Sequence, residues 1–160
     1  MLTDEDNDVA FRIVIDTREQ EPYAFACPTG HEKLDAGDYS VVGHERAVAV
    51  ERKSLPDFAQ TVIRDFDRFD VELRALGEYH AACVVVEADL DDVLRGRTRR
   101  QLRSVSPTSV LGAAVHITLR YGVPVFWCGS RQAACAFTEQ YLRGFVRHVA
   151  RDELTRGCHG

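Results

Sequence analysis

The chain has 160 residues, of which 45% are hydrophobic, so it is about the length of one domain and can bury a core. No apolar run approaches the roughly twenty residues that cross a bilayer, and the acidic first residues are the opposite of a secretory leader, so we expect a cytoplasmic or nucleoid-associated protein. The five cysteines are odd in number and lack C-x-x-C spacing, which argues against zinc and disulfides.

The formal net charge of −5 is unevenly distributed. Most of the acidic excess lies in the first residues, in Asp4, Glu5, Asp6 and Asp8. We therefore expect residues 1–10 to form an acidic, disordered tail, and the domain that follows to be nearly neutral with local positive charge. Because the distribution of charge matters more than its total, the negative sum does not exclude nucleic acid as a partner.

The first predicted strand is the apolar run 11–15, which ends in the polar segment Asp16-Thr17-Arg18-Glu19-Gln20. Charged groups crowded at a strand end are a common arrangement for a functional site. The alternative is a solvated loop in which Arg18 pairs with Asp16 or Glu19.

The next two predicted strands, residues 38–42 and 47–50, bring further acids to the same edge if they pair as a hairpin. Asp38 opens the first of them, and Glu51 directly follows the second. Such hard oxygen ligands suit Mg²⁺ or Mn²⁺, which shares its site with substrate phosphate. Carboxylates placed so close together repel one another unless a cation joins them.

Lys53 is predicted to accompany these acids. Residues two apart on a strand point to the same side, so Glu51 and Lys53 share a face while Arg52 points away. Of the 20 basic residues, only Lys33 and Lys53 are lysines. A compact ammonium can hold a water or a scissile oxygen as a point charge, which Arg does less well. The alternative is an edge strand whose Glu and Lys face solvent.

The segment after Lys53 predicts a helix. Ser54 can cap it, with Asp57 three positions later in a capping-box arrangement. The helical pattern continues over residues 58–76, where Arg68 lies among acidic neighbours that offer it an ordinary salt bridge.

The remaining elements alternate between strand and helix, which predicts an α/β architecture. A buried parallel strand over residues 80–87, a helix opening at Ser106, a strand over 123–127 and a last helix over 130–150 are predicted, followed by a C-terminal tail, 151–160. A basic segment precedes the first of these helices. It suits contacts to phosphates or is a solvated loop, and it contains Arg95, Arg97, Arg99, Arg100 and Arg103.

Taken in order, four elements resemble the nuclease domain of the XPF family of structure-specific endonucleases, which includes the archaeal Hef nucleases. These elements are Ile15-Asp16-Thr17-Arg18-Glu19, Gly37-Asp38-Tyr39, Glu51-Arg52-Lys53 with Asp57 four residues later, and Asp67-Arg68-Phe69. The resemblance implies a nuclease domain over residues 11–150. It also implies a restriction-endonuclease-like fold, in which helices flank a central mixed β-sheet.

The resemblance further implies roles for individual residues. The catalytic set would be Asp16, Glu19, Asp38, Glu51 and Lys53. Asp38 and Glu51 would hold Mg²⁺ or Mn²⁺, with Asp16 completing the shell directly or through water, and Asp57 would support the site. Glu19 would be a nearby acid or a ligand to a second ion. The side chains expected to bind DNA phosphates, with bracing of the carboxylates as the alternative for the first two, are Arg18, Arg52, Arg68, Arg97, Arg99 and Arg100.

The expected activity is therefore metal-dependent hydrolysis of phosphodiester bonds in DNA, at branched or flap structures in repair or recombination. Family members pair through this domain, and the last helix has apolar residues over a wide arc, so we expect a homodimer; the alternative is that this helix only covers a large face of the sheet. The chain has no room for the helicase or helix-hairpin-helix module of larger members, so a helicase or DNA-binding protein is a further expected partner. The alternatives are a non-catalytic partner subunit of the same fold and a restriction- or exonuclease-type enzyme of a phage or mobile element.

Overall fold

A computed structural model describes residues 11–157. The predicted acidic tail, residues 1–10, lies outside the described residues, as do residues 158–160. The strands are β1 (Ile13–Asp16), β2 (Thr29–Glu32), β3 (Tyr39–Val41), β4 (Val48–Lys53), β5 (Ala81–Val86) and β6 (Val125–Trp127). The helices are α1 (Leu55–Arg64), α2 (Phe66–Gly77), α3 (Leu90–Leu94), α4 (Arg99–Leu102), α5 (Pro107–Tyr121) and α6 (Arg131–Gly157). None of the helices in this described range is long and apolar enough to cross a membrane.

The strands form one mixed sheet in the order β2-β1-β3-β4-β5-β6. The pairs β1–β3 and β3–β4 are antiparallel, whereas β1–β2, β4–β5 and β5–β6 are parallel. The predicted hairpin is confirmed, because Tyr39 pairs with Val50 and the backbone N–H of Asp38 donates to the carbonyl of Val50 over 2.9 Å. The predicted α/β fold with a central mixed sheet is also confirmed.

Helices cover both faces of the sheet, and the central strands are buried on both sides. Along β4, Ala49 faces a core formed with α1, α2 and α5, while Val48 and Val50 face a second core covered by α6. Since side chains alternate along a strand, this register continues into the polar end of β4. Glu51 and Lys53 therefore lie on the α2 side of the sheet, and Arg52 lies on the opposite side.

Two predicted boundaries differ from the structure. The predicted helix over residues 58–76 is two helices, because the backbone leaves the helical region at Asp65 (φ −118°, ψ 28°), and both helices still pack on one core through Phe58 and Phe69. The last helix continues to Gly157, so residues 151–157 are helical rather than a tail. The prediction ended where the apolar pattern ended, but these residues contain no proline to stop the backbone hydrogen bonding.

Candidate active site

Acidic side chains from four segments meet at one edge of the sheet. They come from the end of β1, the loop before β3, the end of β4 and the second turn of α2. We call this depression, of about 410 Å³, the acidic cleft; it is lined by Asp16, Arg18, Glu19, Gln20, Glu21, Gly37, Asp38, Glu51, Arg52 and Glu72. A second depression shares four of these residues and extends along α1, where Lys53, Asp57, Gln60, Thr61 and Asp65 complete its wall.

Gly37 sets the course of the chain into Asp38. Its φ of +79° is a conformation that L side chains rarely adopt, and a Cβ there would lie 2.9 Å from the Cβ of Ala49. Its backbone N–H donates to Oε1 of Glu72 over 3.0 Å. A glycine is therefore required for the loop to approach β4 and α2 so closely.

Asp38 is held in the cleft by a backbone donor. The N–H of Arg52 donates to Oδ2 of Asp38 over 2.8 Å. Burial, together with the nearby charges of Glu19 and Glu72, raises the pKa of Asp38 to about 7, although this hydrogen bond acts to lower it. Asp38 is thus an acid whose charged form lacks sufficient compensation from the protein alone.

Glu51 is the most deeply buried acid of the set after Asp16, with 5% of its surface exposed. Its Oε1 lies 3.4 Å from Nζ of Lys53, whereas its Oε2 has no hydrogen-bond partner among the described residues. Burial raises the pKa of Glu51 well above its ordinary value, and repulsion by Asp38 and Glu72 adds to this effect. A buried carboxylate oxygen without a partner is costly, and a cation would compensate it.

Lys53 completes this side of the site. Its ammonium lies 4.9 Å from the centre of the Phe69 ring, which is buried, and its side chain is 18% exposed. The aromatic face and Glu51 together restrict where the ammonium can lie. The alternation along β4 predicted this shared face from the sequence.

Asp16, predicted to complete the metal shell directly or through water, has both of its carboxylate oxygens engaged. Its Oδ1 accepts from the backbone N–H of Leu34 and its Oδ2 from Nε of Arg18, each over 2.8 Å. Burial acts to raise the pKa of Asp16, but the bonds from Arg18 and Leu34 outweigh it and lower the pKa. Because both oxygens are already used, these contacts favour the indirect role, through water.

The side chain of Arg52 lies in a charged network on the other side of β4, which is bordered by Glu19, a residue that also lines the acidic cleft. The guanidinium of Arg52 donates to both oxygens of Glu87, over 2.9 and 3.2 Å, and lies 3.6 Å from Oε1 of Glu19. The hydroxyl of Tyr23 donates to Glu87 over 2.8 Å. Arg52 was predicted either to contact phosphate or to brace carboxylates. These contacts correspond to bracing, and they leave 15% of its side chain exposed.

Two functional candidates were missed by the sequence analysis. Glu87 follows a strand parallel to β4, and the carboxyl ends of parallel strands meet at one edge, so its position carried a usable signal. Glu72 was considered only as one of the acidic neighbours that offer Arg68 a salt bridge. It directly precedes the buried Leu73 on α2 and so borders the apolar face of that helix, which was the available signal.

Arg18 and Asp57 each line one of the two depressions, whereas Arg68 lines neither of them. Arg18 bonds to Asp16 and to the carbonyl of Leu34 over 2.9 Å, yet its side chain is 62% exposed. Arg68 is exposed, and its acidic neighbour Asp70 pairs with Arg74 instead. The backbone N–H of Asp57 donates to the Ser54 hydroxyl over 3.3 Å, which confirms the predicted cap, and Asp57 also borders the cleft along α1.

The basic segment divides into two parts. Arg95 and Arg97 form 2.8 Å ion pairs with Asp91 and Asp92, so their charges are locally compensated. The members farther along are exposed on and after α4, namely Arg99, Arg100 and Arg103. The last of them lies in a groove against α1 together with Arg64, and that groove also includes Asp57 and Gln60 of the cleft wall. Two exposed basic side chains, Arg64 and Arg103, therefore lie in the groove that adjoins the cleft along α1.

The donor set fits a hard divalent cation at Asp38 and Glu51. Within residues 11–157, no three Asp, Glu, His or Cys side chains are already grouped closely enough to bind a metal by themselves. Burial raises the pKa of both acids, and a cation beside the unpartnered Oε2 of Glu51 would favour their charged forms. Oxygen ligands of this kind suit hard divalent cations rather than softer metals.

The mixed sheet and its acidic edge define a known class of domain. Residues 15–141 match the ERCC4 domain, and the chain belongs to this family. Its structure is similar to that of XPF from Aeropyrum pernix, with a TM-score of 0.65 and 22% sequence identity over 89% of this chain and 68% of that chain.

A second structure of XPF from Aeropyrum pernix, in complex with DNA, gives a TM-score of 0.64 and 23% identity over 86% of this chain and 66% of that chain. The chain thus spans about two thirds of the length of these relatives. A comparison with curated proteins found no match. The XPF resemblance inferred from the sequence motifs is confirmed by the family and by the fold.

Proposed function

We propose that this chain is a divalent-metal-dependent DNA endonuclease that hydrolyses phosphodiester bonds at branched or flap structures in repair or recombination. The observation that carries the proposal is the buried Glu51, whose free oxygen lies in the same cleft as Asp38 and whose other oxygen lies beside Lys53. Membership of the ERCC4 family and the likeness to an XPF that has been seen with DNA support the choice of substrate.

Asp38 and Glu51 would hold the cation, and Asp16 would contribute through water. A bound Mg²⁺ or Mn²⁺ would lower the pKa of its water and neutralise charge on the phosphate. The backbone N–H of Arg52 keeps one oxygen of Asp38 fixed, so its other oxygen is the one available to a ligand. The bonds from Arg18 and Leu34 similarly keep Asp16 charged at the back of the cleft.

Lys53 would supply the only ammonium beside the two acids in the described part of the site. Its contacts with Glu51 and Phe69 limit its movement, so the positive charge is held in place before substrate arrives. Such a fixed donor stabilises negative charge that develops on the phosphate or orients the attacking water. Arg52 would act indirectly, because Glu87 and Glu19 hold its guanidinium behind the strand.

DNA would approach along α1. The groove that contains Arg64 and Arg103 adjoins the cleft, and Arg99 and Arg100 lie in the helix just before it. Basic side chains in such a position contact phosphates without reading bases. The other candidates for phosphate contacts are Arg18, which lines the acidic cleft, and the exposed Arg68 on α2.

We also propose that two copies pair and that a helicase or DNA-binding protein assists substrate binding. The buried residues of α6 are Ala134, Thr138 and Leu142, all in its first half, while Leu154 is 72% exposed. A long helix whose last turns expose an apolar side chain can contact a second subunit. Sedimentation equilibrium of the intact protein measures its oligomeric state, and a monomer at every concentration would contradict the pairing.

The decisive experiment is a cleavage assay on flap, fork, Holliday-junction, single-stranded and linear duplex DNA, with Mg²⁺ or Mn²⁺. We expect cleavage of the branched substrates, and its loss in Asp38→Asn and Glu51→Gln with the fold intact by circular dichroism. Glu78→Gln, an exposed acid outside the cleft, is the matched control. Binding of branched DNA without cleavage would identify a non-catalytic subunit, and equal cleavage of linear duplex would favour a restriction- or exonuclease-type enzyme.

A further inference from the structure

Glu72 brings an additional carboxylate to the acidic cleft from α2, opposite the strands that carry the other acids. Its Oε1 accepts the backbone N–H of Gly37 over 3.0 Å. It is close enough to Asp38 and Glu51 for its charge to act on both of them. Glu72 thus contacts the loop that carries Asp38 and also faces the buried Glu51.

A purely structural role does not require a charge at this position. The N–H of Gly37 needs one acceptor, which a neutral amide oxygen would supply as well as a carboxylate. The neighbouring cations are engaged elsewhere, Arg18 with Asp16 and Arg74 with Asp70. A third negative charge beside Asp38 and Glu51, with Lys53 as the nearby ammonium, increases repulsion in the cleft.

An independent feature indicates what would relieve this repulsion. Oε2 of Glu51 is buried and lacks a hydrogen-bond partner, in a residue that is 5% exposed and lines the same cleft as Glu72. When both groups are charged, Glu51 and Glu72 only accept, so a hydrogen bond between them requires a proton on one of them. A divalent cation would satisfy this oxygen and the charge of Glu72 together.

We propose that Glu72 is a third carboxylate for the divalent cation held by Asp38 and Glu51, and that it binds this cation from the α2 side directly or through a coordinated water. This inference rests on the proposed function, because it assumes the cation site at those two residues. Glu72 would then have two roles, since one oxygen anchors the Gly37 loop while the carboxylate charge increases affinity for the metal.

The test measures Mn²⁺ binding to the intact protein without DNA, by isothermal titration calorimetry and by the electron paramagnetic resonance signal of free Mn²⁺. Glu72→Gln keeps an oxygen acceptor for Gly37 but removes the charge. We expect it to weaken Mn²⁺ binding on the order of 10- to 100-fold while the melting temperature of the metal-free protein stays equal or rises. The matched control is Glu78→Gln at the end of the same helix, which we expect to bind Mn²⁺ normally.

Glu51→Gln separates the hypothesis of a cation site at Asp38 and Glu51 from the hypothesis that Glu72 contributes to that site. Loss of Mn²⁺ binding in Glu51→Gln with normal binding in Glu72→Gln would overturn this inference alone and reduce Glu72 to an anchor for Gly37. Normal binding in Glu51→Gln would overturn the proposed metal site and this inference with it. A lowered melting temperature in Glu72→Gln, together with unchanged Mn²⁺ affinity, would likewise assign Glu72 a structural role.

Discussion

The backbone N–H of Arg52 donates to Oδ2 of Asp38 over 2.8 Å, so the strand that carries Glu51 also fixes the second acid of the site. The side chain of Arg52 points to the other side of β4, where it bonds to Glu87. One residue therefore connects the cleft to a charged network behind it. A change in that network is therefore expected to move the carboxylates of Asp38 and Glu51 relative to each other.

The first prediction concerns pH. Burial raises the pKa of Asp38 from 3.8 to about 7, so between these values the folded protein binds more protons than the unfolded chain. The free energy of unfolding of the metal-free protein should therefore fall as pH rises through this window. Asp38→Asn should lose much of this dependence. Urea denaturation in the presence of a chelator, at several pH values across the window, measures the effect.

Asp16 provides an internal control for this prediction. Its pKa is lowered, so its contribution to stability is lost only as pH falls below the ordinary value of 3.8. Asp16→Asn should therefore destabilise the protein throughout the window without changing the slope. Because the pKa of Glu51 is raised as well, part of the slope should remain, but an unchanged slope in Asp38→Asn would show that Asp38 does not titrate within this window.

The second prediction concerns Lys53. Lys53→Arg keeps the positive charge but replaces a compact ammonium by a planar fork that does not fit the same space between Glu51 and Phe69. We expect kcat to fall on the order of 100-fold or more, as for other fixed donors to a developing charge, with affinity for DNA preserved. Single-turnover cleavage and a binding titration in Ca²⁺ separate the two quantities.

Lys33→Arg is the matched control for this substitution. Lys33 is exposed and is the other lysine of the chain, so the same chemical change there should leave both quantities unchanged. A near-normal rate in Lys53→Arg would leave Lys53 with only a generic electrostatic role.

The third prediction concerns Glu87, which accepts from Arg52 and Tyr23. Glu87→Gln leaves the guanidinium of Arg52 largely buried without its main counter-charge, so we expect the free energy of unfolding to fall by about 3 kcal/mol. Tyr23→Phe removes a single hydrogen bond and should cost about 1 kcal/mol. Urea denaturation of both variants measures the difference. Equal losses would show that the charge pair contributes little beyond its hydrogen bonds.

The sequence predicted the site residues that the strands carry, but it did not predict the contacts that come from elements distant along the chain. Period-two alternation placed Glu51 and Lys53 on one face, and the two short predicted strands offered a hairpin that would bring Asp38 beside them, which the structure contains. The position of Glu72 depends on how α2 packs against the sheet after the break at Asp65, and no local sequence pattern specifies that packing. For a similar reason the sequence could not choose between a direct and a water-mediated role for Asp16, since the donor at residue 34 is distant along the chain.

The last prediction concerns the basic segment, which the structure divides by its ion pairs. Arg95 and Arg97 are compensated by Asp91 and Asp92, while Arg99, Arg100 and Arg103 are exposed beside the groove along α1. Changing the latter three to Gln should weaken binding similarly for all DNA sequences. It should also reduce the slope of log K against log salt by roughly 2 to 3 units, at about 0.9 for each phosphate that the variant no longer neutralises.

The double variant Arg95→Gln and Arg97→Gln is the control drawn from the same segment. Because these side chains already have acidic partners, it should change the salt slope by less than the value of about 0.9 that a single phosphate contributes. Fluorescence anisotropy with a labelled fork at several salt concentrations gives both slopes. Equal slopes in the triple variant and the unsubstituted protein would identify the segment as a solvated surface, and DNA affinity would then have to come from Arg18, Arg68, a second subunit or a partner protein.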